Sequence, residues 1–329
     1  AGNGQFGVRG GLDWDSGPAG LCVAGDGTVY AADPYNHRIQ RFSATGQFLD
    51  AWGSQGAGPG QFNAPRDVAW APDGTLYVAD TGNSRIQRFG PAGAFLGAWG
   101  RAGSGNGEFS TPWGVAVAPD GTVYVADMGN SRVQRFTASG AFLSAFGHPG
   151  SDRGGFQGVS AVAVGPDGSV YAADWGNGRI QRFSAEGQWL GAWGRVGCGR
   201  GQFLHPSGVA VAPDGMVFVA DTDNRRVQVF NWTHADTWHG EYHANPHLAQ
   251  APALVRQDAA VMFGWGSSLP GSGIPADRFS VRWYRHAWFD PGRWVFAISA
   301  DDGVRFWVDD QLLVDEWRPQ VGFIQRTVQ

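Results

Sequence analysis

Along the first two thirds of the chain, short apolar runs of five or six residues alternate with clusters of Gly, Pro, Asn and Asp. In one stretch Asp67–Ala71 is apolar, Pro72-Asp73-Gly74 is a turn, and Thr75–Asp80 alternates and is rich in β-formers. Thr81-Gly82-Asn83 then turns the chain, Arg85–Phe89 forms a third run, Gly90–Gly93 turns again, and Ala94–Trp99 forms a fourth. Runs this short, bounded by turn residues and lacking a 3.6-residue period, predict strands rather than helices. The pattern also repeats. An Ala-Asp step that ends an apolar run places its aspartate at Asp33, Asp80, Asp127, Asp174 and Asp221, 47 residues apart each time. The Phe of a Gly-Gln-Phe-like segment keeps the same interval at Phe62, Phe109, Phe156 and Phe203, with Phe6 an early copy displaced by about nine residues within Gly7–Pro18.

Four antiparallel strands in a repeat of this length predict the blade of a β-propeller, an all-β architecture that leaves only short, protected strand edges. The fifth copy shows three strands, Gly208–Ala212, Met216–Asp221 and Arg226–Phe230, and the pattern ends where a fourth is due. Because an open edge exposes unpaired N–H and C=O groups, closure is expected from residues 1–19, from 231–245, or from a blade upstream of Ala1. Polar residues present in every copy read as a hydrogen-bonded staple of the turn between the second and third strands. Trp52, Trp99, Phe146 and Trp193 also recur every 47 residues and read as packing between neighbouring blades.

Binding is therefore expected where the copies differ. After the repeated aspartate stand Pro34-Tyr35, Thr81-Gly82, Met128-Gly129, Trp175-Gly176 and Thr222-Asp223. Tyr35, Met128 and Trp175 are the candidate partner-binding residues, since large side chains in turns can anchor a partner; the alternative is scattered surface hydrophobes of no special role.

The run Asp-x-x-Asn-x-Arg-Ile/Val-Gln-x-Phe, seen as Asp80, Asn83, Arg85, Ile86, Gln87 and Phe89, resembles the NHL repeat, and the match recurs in all five copies over residues 20–230. That resemblance implies a propeller of the six-bladed family, whose members bind proteins, RNA or small ligands and of which a few relatives are enzymes. After Phe230 the 47-residue interval stops. Residues 232–329 hold five of the eight histidines and a series of aromatic strands, Trp238–Tyr242, Phe263–Gly266, Phe279–Trp283 and Ala300–Asp310. In order and spacing these are similar to the PA14 domain, a β-sandwich of extracellular proteins that often binds carbohydrate, here incomplete at its C-terminal end. The expected organisation is thus a propeller over 1–231 and a partial PA14-like sandwich over 232–329. In lectin-like PA14 members two adjacent aspartates hold calcium, and the resemblance assigns Asp301 and Asp302 that role; calcium takes carboxylate oxygens and leaves positions for outside ligands. Asp-Asp-Gly is equally a hairpin turn.

Charge narrows the partners. The net charge of −5 comprises 16 Arg against 18 Asp and Glu in residues 1–231, and 8 Arg against 11 Asp and Glu thereafter. Neither part is basic, which argues against nucleic acid and anionic membranes as partners. All 24 basic residues are Arg, a composition that fits a GC-rich bacterial genome. No apolar run is long enough to span a membrane. Cys22 and Cys198 lie in different repeats and read as free thiols. His37, His148 and His205 fall at three different registers of the repeat, so they do not converge on one axial metal. His239 and His243 sit on a stretch that reads as strand, where i and i+4 are about 13 Å apart. These features predict a secreted or cell-surface, non-catalytic binding protein, with the propeller as docking platform for a surface protein and the PA14-like part contacting glycans. The alternative is a self-assembling surface or filament protein, and a propeller enzyme of lyase or lactonase type is the third reading.

Overall fold

The computed structural model describes residues 5–6 and 17–231 and seven later strands: Trp238–His243, Leu254–Asp258, Ser280–Tyr284, Trp294–Ser299, Val304–Val308, Gln311–Glu316 and Phe323–Val328. Contacts divide the chain into two units, Ala1–Arg285 and His286–Gln329.

The first unit contains five consecutive antiparallel blades. Blade two runs Pro65–Trp70, Leu76–Asp80, Arg85–Phe89 and Phe95–Trp99, each strand paired with the next. Blades one, three and four repeat this order, and their second strands are Val29–Asp33, Val123–Asp127 and Val170–Asp174. The second strands are almost wholly buried, as expected of the middle of a blade packed on both faces. The first strands of successive blades pack on one another, so they form the inner layer.

Two features of the sequence build the joints between blades. The Gly-Gln-Phe phenylalanines Phe62, Phe109, Phe156 and Phe203 are buried. Each fills the space above a glycine of left-handed backbone that ends the preceding blade; at Gly53 (φ +109) and Gly100 (φ +98) a Cβ would stand within 2.6 Å of the ring, so no other residue fits. The aromatic at the end of each fourth strand lies over the next blade. Trp52 and Phe89 have ring centroids 6.0 Å apart, Trp99 and Phe136 5.6 Å, Phe146 and Phe183 4.7 Å, and Trp193 and Phe230 5.6 Å. The expected packing role of these aromatics is thus observed.

Blade five has three strands, Pro206–Val211, Met216–Asp221 and Arg226–Asn231. The six-bladed expectation is therefore corrected: the described residues hold five blades. The physical reason is visible downstream. Trp238–His243, the strand nearest to where a fourth is due, pairs with Leu254–Asp258 on one side and Ser280–Tyr284 on the other, in a separate three-stranded sheet. Upstream, Gln5 and Phe6 dock on blade one as the other copies dock on theirs. The Gln5 carbonyl accepts from Arg38 at 2.6 Å and from Gln40 at 3.0 Å, and the Phe6 ring lies 6.0 Å from that of Phe42. Residues 7–16 lie outside the described residues. In the second unit Trp294–Ser299 pairs with Phe323–Val328 and Val304–Val308 with Gln311–Glu316, where Val314 is buried and Leu312 exposed.

Candidate functional site

The repeated polar residues form the staple that their recurrence predicts. In blade two the Asp80 carboxylate accepts from Asn83 Nδ2 at 2.9 Å, Arg85 Nε at 2.7 Å, Gln87 Nε2 at 2.9 Å and the backbone N–H of Asn63 at 2.7 Å. Asp127, Asp174 and Asp221 repeat all four bonds, and Asp33 repeats the three side-chain ones. All five aspartates are fully buried. The guanidinium continues the chain of bonds: Arg85 Nη2 donates to the carbonyls of Gly58 and Gln61, which ties the turn to the Gly-Gln-Phe segment. A buried carboxylate this fully paired stabilises the fold and leaves no lone pair for a ligand.

Beside the staple the blades diverge. The residue after the aspartate leans on the residue that enters the first strand of the next blade, a position of left-handed backbone at Ala64 (φ 49), Thr111 (φ 61) and His205 (φ 52). In blade two this residue is Thr81, whose hydroxyl donates to the carbonyl of Pro112 at 2.7 Å and is spent on the neighbour. In blade three it is Met128, half-buried and lying over Gly158. In blade four it is Trp175, 37% exposed, with its ring stacked on His205 at 3.9 Å and 16° between planes. His205 Nδ1 in turn hydrogen-bonds Asp223 Oδ2 at 2.5 Å, and Ser207 bonds Thr222 beside it. The carboxylate fixes the imidazole, and the imidazole backs one face of the indole. On the entry strands of blades two and three the Arg66 guanidinium lies 4.1 Å from the Trp113 ring centroid, a cation–π pair.

Of the sequence candidates, Met128 and Trp175 occupy the same position on adjacent blades. Tyr35 stands one position further along, in the Pro34–Asn36 turn of blade one, and is half-buried. His205, Asp223, Arg66 and Trp113 were not among the candidates. The signal for them was present, because at their registers too the copies differ: Ala64, Thr111, Gly158 and His205 in one series, Arg66, Trp113, Ser160 and Ser207 in the other. The other two propeller histidines are used locally, with His37 Nδ1 accepting from the Ala64 N–H at 3.1 Å and His148 paired with Asp152 at 3.0 Å. Among the described residues no three His, Cys, Asp or Glu side chains cluster as metal ligands. His239 and His243 lie on a strand, as their surroundings predict.

One inner-strand acid also breaks the repeat. Asp67 stands where the other blades carry Gly20, Gly114, Ala161 and Gly208. Its carboxylate accepts the N–H of Val68 and, across to blade three, that of Val115, both at 2.9 Å. Burial pushes its pKa up to about 7 against the two hydrogen bonds. Nearby, burial and then the Asp67 charge push the Cys22 thiol up, and neither cysteine is in a disulfide.

Comparison with known families decides what the 47-residue unit is: residues 16–42, 62–89, 109–136, 156–183 and 203–230 match the NHL repeat, and residues 235–328 match the PA14 domain. The chain carries five NHL repeats followed by a PA14 domain. Asp301 and Asp302 fall within the PA14 match but lie outside the described residues. A curated relative, the anti-sigma-I factor RsgI3 of Acetivibrio thermocellus, is 38% identical over 84 residues, which is 25% of this chain and 13% of that protein. The chain therefore spans about an eighth of that relative's length. Among solved structures, the nidogen–laminin complex matches with a TM-score of 0.50 at 16% identity, covering 65% of this chain and 75% of that one. A virginiamycin B lyase from Staphylococcus aureus, solved as an inactive variant with quinupristin, matches with a TM-score of 0.49 at 16% identity, covering 68% and 72%. At 16% identity the likeness to the nidogen–laminin complex speaks to the fold of the NHL propeller and not to its activity.

Proposed function

We propose that this chain is a non-catalytic binding protein of the cell surface or exterior, in which the NHL propeller docks a partner through the turn rim of blades three to five and the PA14 domain contacts glycans. The observation that carries the reading is the Trp175, His205 and Asp223 stack. Positions common to every blade are consumed by the staple, whereas this one is specific to its blade, aromatic and partly exposed. Its geometry suits binding. An indole held by a stacked imidazole, itself held by a carboxylate, has little rotamer freedom left to lose when a partner covers it, so more of the contact energy appears as affinity. Met128 on the adjacent blade extends the same rim with an adaptable apolar group.

For the PA14 domain the proposal includes calcium held by Asp301 and Asp302, with sugar hydroxyls completing the coordination; this part is supported by sequence alone. Two adjacent carboxylates repel unless a cation or donors offset them, and an extracellular site of this kind binds with a dissociation constant of roughly 10⁻⁴ to 10⁻³ M. The test is a glycan array probed with the full chain with and without calcium, alongside Trp175→Ala and the Asp301→Asn/Asp302→Asn pair. Calcium-dependent glycan signals lost in the aspartate pair support the PA14 part. Retention of a propeller partner on the wild type, with loss of at least tenfold in affinity on Trp175→Ala, supports the rim. Binding that ignores all of these substitutions would refute the reading.

A further inference from the structure

Three residues at the joint of blades four and five break the repeat at one spot. The first is Trp175, which stands where the other blades carry Pro34, Thr81, Met128 and Thr222. The second is His205, in the series Ala64, Thr111 and Gly158. The third is Asp223, where blade one has Tyr35 and blades two, three and four have Gly82, Gly129 and Gly176. Those glycines leave room: a Cβ would stand 2.7 Å from the carbonyl oxygen of Asn63, 2.6 Å from that of Ser110 and 2.7 Å from that of Gln157. Each glycine N–H also donates to that same oxygen, at 2.8, 2.7 and 3.0 Å. In blade five the matching bond, from the Asp223 N–H to the Leu204 carbonyl, is kept at 3.1 Å, and the side chain it admits is a carboxylate that holds His205. A residue that runs against the local preference of the fold, and that blades two to four do without, marks a site rather than a structural need.

The chemistry around the indole is mixed. His205 covers one face at 3.9 Å, and an exposure of 37% leaves the opposite face to solvent. Among the described residues the indole N–H, His205 Nε2 and Asp223 Oδ1 have no hydrogen-bond partner. The exposed Gln157 side chain lies beside Gly176, the next residue along, with its amide oxygen 3.2 Å from where a Cβ of Gly176 would stand. The Ser207 and Thr222 hydroxyls bond each other alongside. A flat apolar face is thus bordered by a donor, an acceptor and groups able to do both. In the turns that follow the staple aspartates, Trp175 is the one exposed large hydrophobic side chain among the described residues.

We propose that this indole is a platform for a neutral sugar, with one pyranose ring stacked on its open face and hydroxyls bonded to the polar atoms at its border, those of Asp223, His205 and Gln157. A pyranose carries both characters that the site offers. It has a face of C–H groups for the indole and an edge of hydroxyls, each donor and acceptor, for the polar border. A protein partner asks for something else. A stable protein interface covers about 800 Å² on each side around a cluster of anchors, whereas one isolated aromatic matches a ligand the size of one ring. The inference deepens the reading of this rim as the binding surface of the propeller and rests on it; the sugar site is separate from the one proposed for the PA14 domain.

The test is an array of neutral oligosaccharides probed with the full 329-residue chain carrying Asp301→Asn/Asp302→Asn, with a calcium chelator present, which silences the site proposed for the PA14 domain. Saturation-transfer NMR with the retained sugars then compares that chain with the same chain carrying Trp175→Thr, Trp175→Phe or Asp223→Gly. Trp175→Thr and Asp223→Gly install residues that sister blades already carry, so folding is kept, which circular dichroism verifies. The sugar is expected to bind, to lose at least about tenfold in affinity in Trp175→Thr and about three- to tenfold in Asp223→Gly, and to keep most of its affinity in Trp175→Phe, which preserves a stacking face. An array that retains no sugar would overturn the inference, as would a sugar whose affinity ignores Trp175→Thr. A protein partner held by the wild type and lost by Trp175→Thr, with no sugar bound, would overturn the sugar and leave the rim reading standing. If neither sugar nor protein responds to Trp175→Thr, both fall.

Discussion

Blade three and blade five are written in the same repeat and sit in different surroundings. In both, the aspartate of the staple is fully buried and receives the same Asn, Arg and Gln donors. Around the staple they part. The Arg132 side chain is 14% exposed and that of Arg226 31%. Tyr124 holds the carbonyl of Ala185, while Phe218 in the same place has no hydroxyl to offer. In blade three the strand Phe142–Phe146 pairs with the outer side of Arg132–Phe136, and among the described residues no fourth strand joins the sheet of blade five. The repeat therefore encodes the blade, and the neighbours supply its burial, as expected of a fold whose units contact only those beside them.

The largest test of this contrast lies in the staple. Asp127→Ala strands a guanidinium in the interior and is expected to cost about 3–5 kcal/mol. Asp221→Ala is expected to cost roughly 1–3 kcal/mol, because Arg226 has water within reach. Denaturant unfolding of both variants measures the difference, and equal losses would erase the distinction between the two blades.

Asp67 sharpens the contrast from the inner strands, where it alone replaces a small residue. Its folded pKa, raised by burial to about 7, lies above the ordinary value of 3.8, so the folded state keeps a proton that the unfolded state releases. Stability is then expected to fall as pH rises from about 4 to about 7, by at most about 1.4 kcal/mol per pH unit, and to level off above that. Thermal midpoints of the wild type and Asp67→Asn over this window provide the check. Removal of that slope in the variant is the expected result, and parallel curves would contradict the assignment.

The smallest contrast is a single hydroxyl. Tyr124→Phe gives up the bond to Ala185 and is expected to destabilise by about 0.5–1.5 kcal/mol. Phe218→Tyr adds the same hydroxyl where none of the described residues offers a hairpin carbonyl, and is expected to be near neutral. A stabilising Phe218→Tyr would show that blade five does have an NHL-like neighbour.

Much of this was legible in the residues. The spacing of Asp33, Asp80, Asp127, Asp174 and Asp221 gave both the blades and the staple, because a residue repeated in every unit has a role that every unit shares. Strand limits such as Arg85–Phe89 and Met216–Asp221 agree with the turns that bound them. Other features depend on distance through space. Trp175 was visible as an unusual turn residue, but its partner His205 lies 30 residues on and in another blade, and only the packing of adjacent blades brings them together. The acid at Asp67 is unremarkable in sequence, since its character comes from the strands packed around it. Blade five lay between these cases: Phe218 breaks the Tyr series openly, yet the meaning of the break depends on knowing that Tyr30, Tyr77 and Tyr124 each donate to a carbonyl of the next blade.

Amide hydrogen exchange, resolved strand by strand, tests most directly the claim that one repeat sequence takes its stability from its neighbours. The third strands of blades two, three and four, Arg85–Phe89, Arg132–Phe136 and Arg179–Phe183, are expected to be protected together to the limit set by global unfolding. The third strand of blade five, Arg226–Asn231, is expected to exchange at least tenfold faster, through local opening at its uncovered face. Equal protection of all four strands would contradict the account.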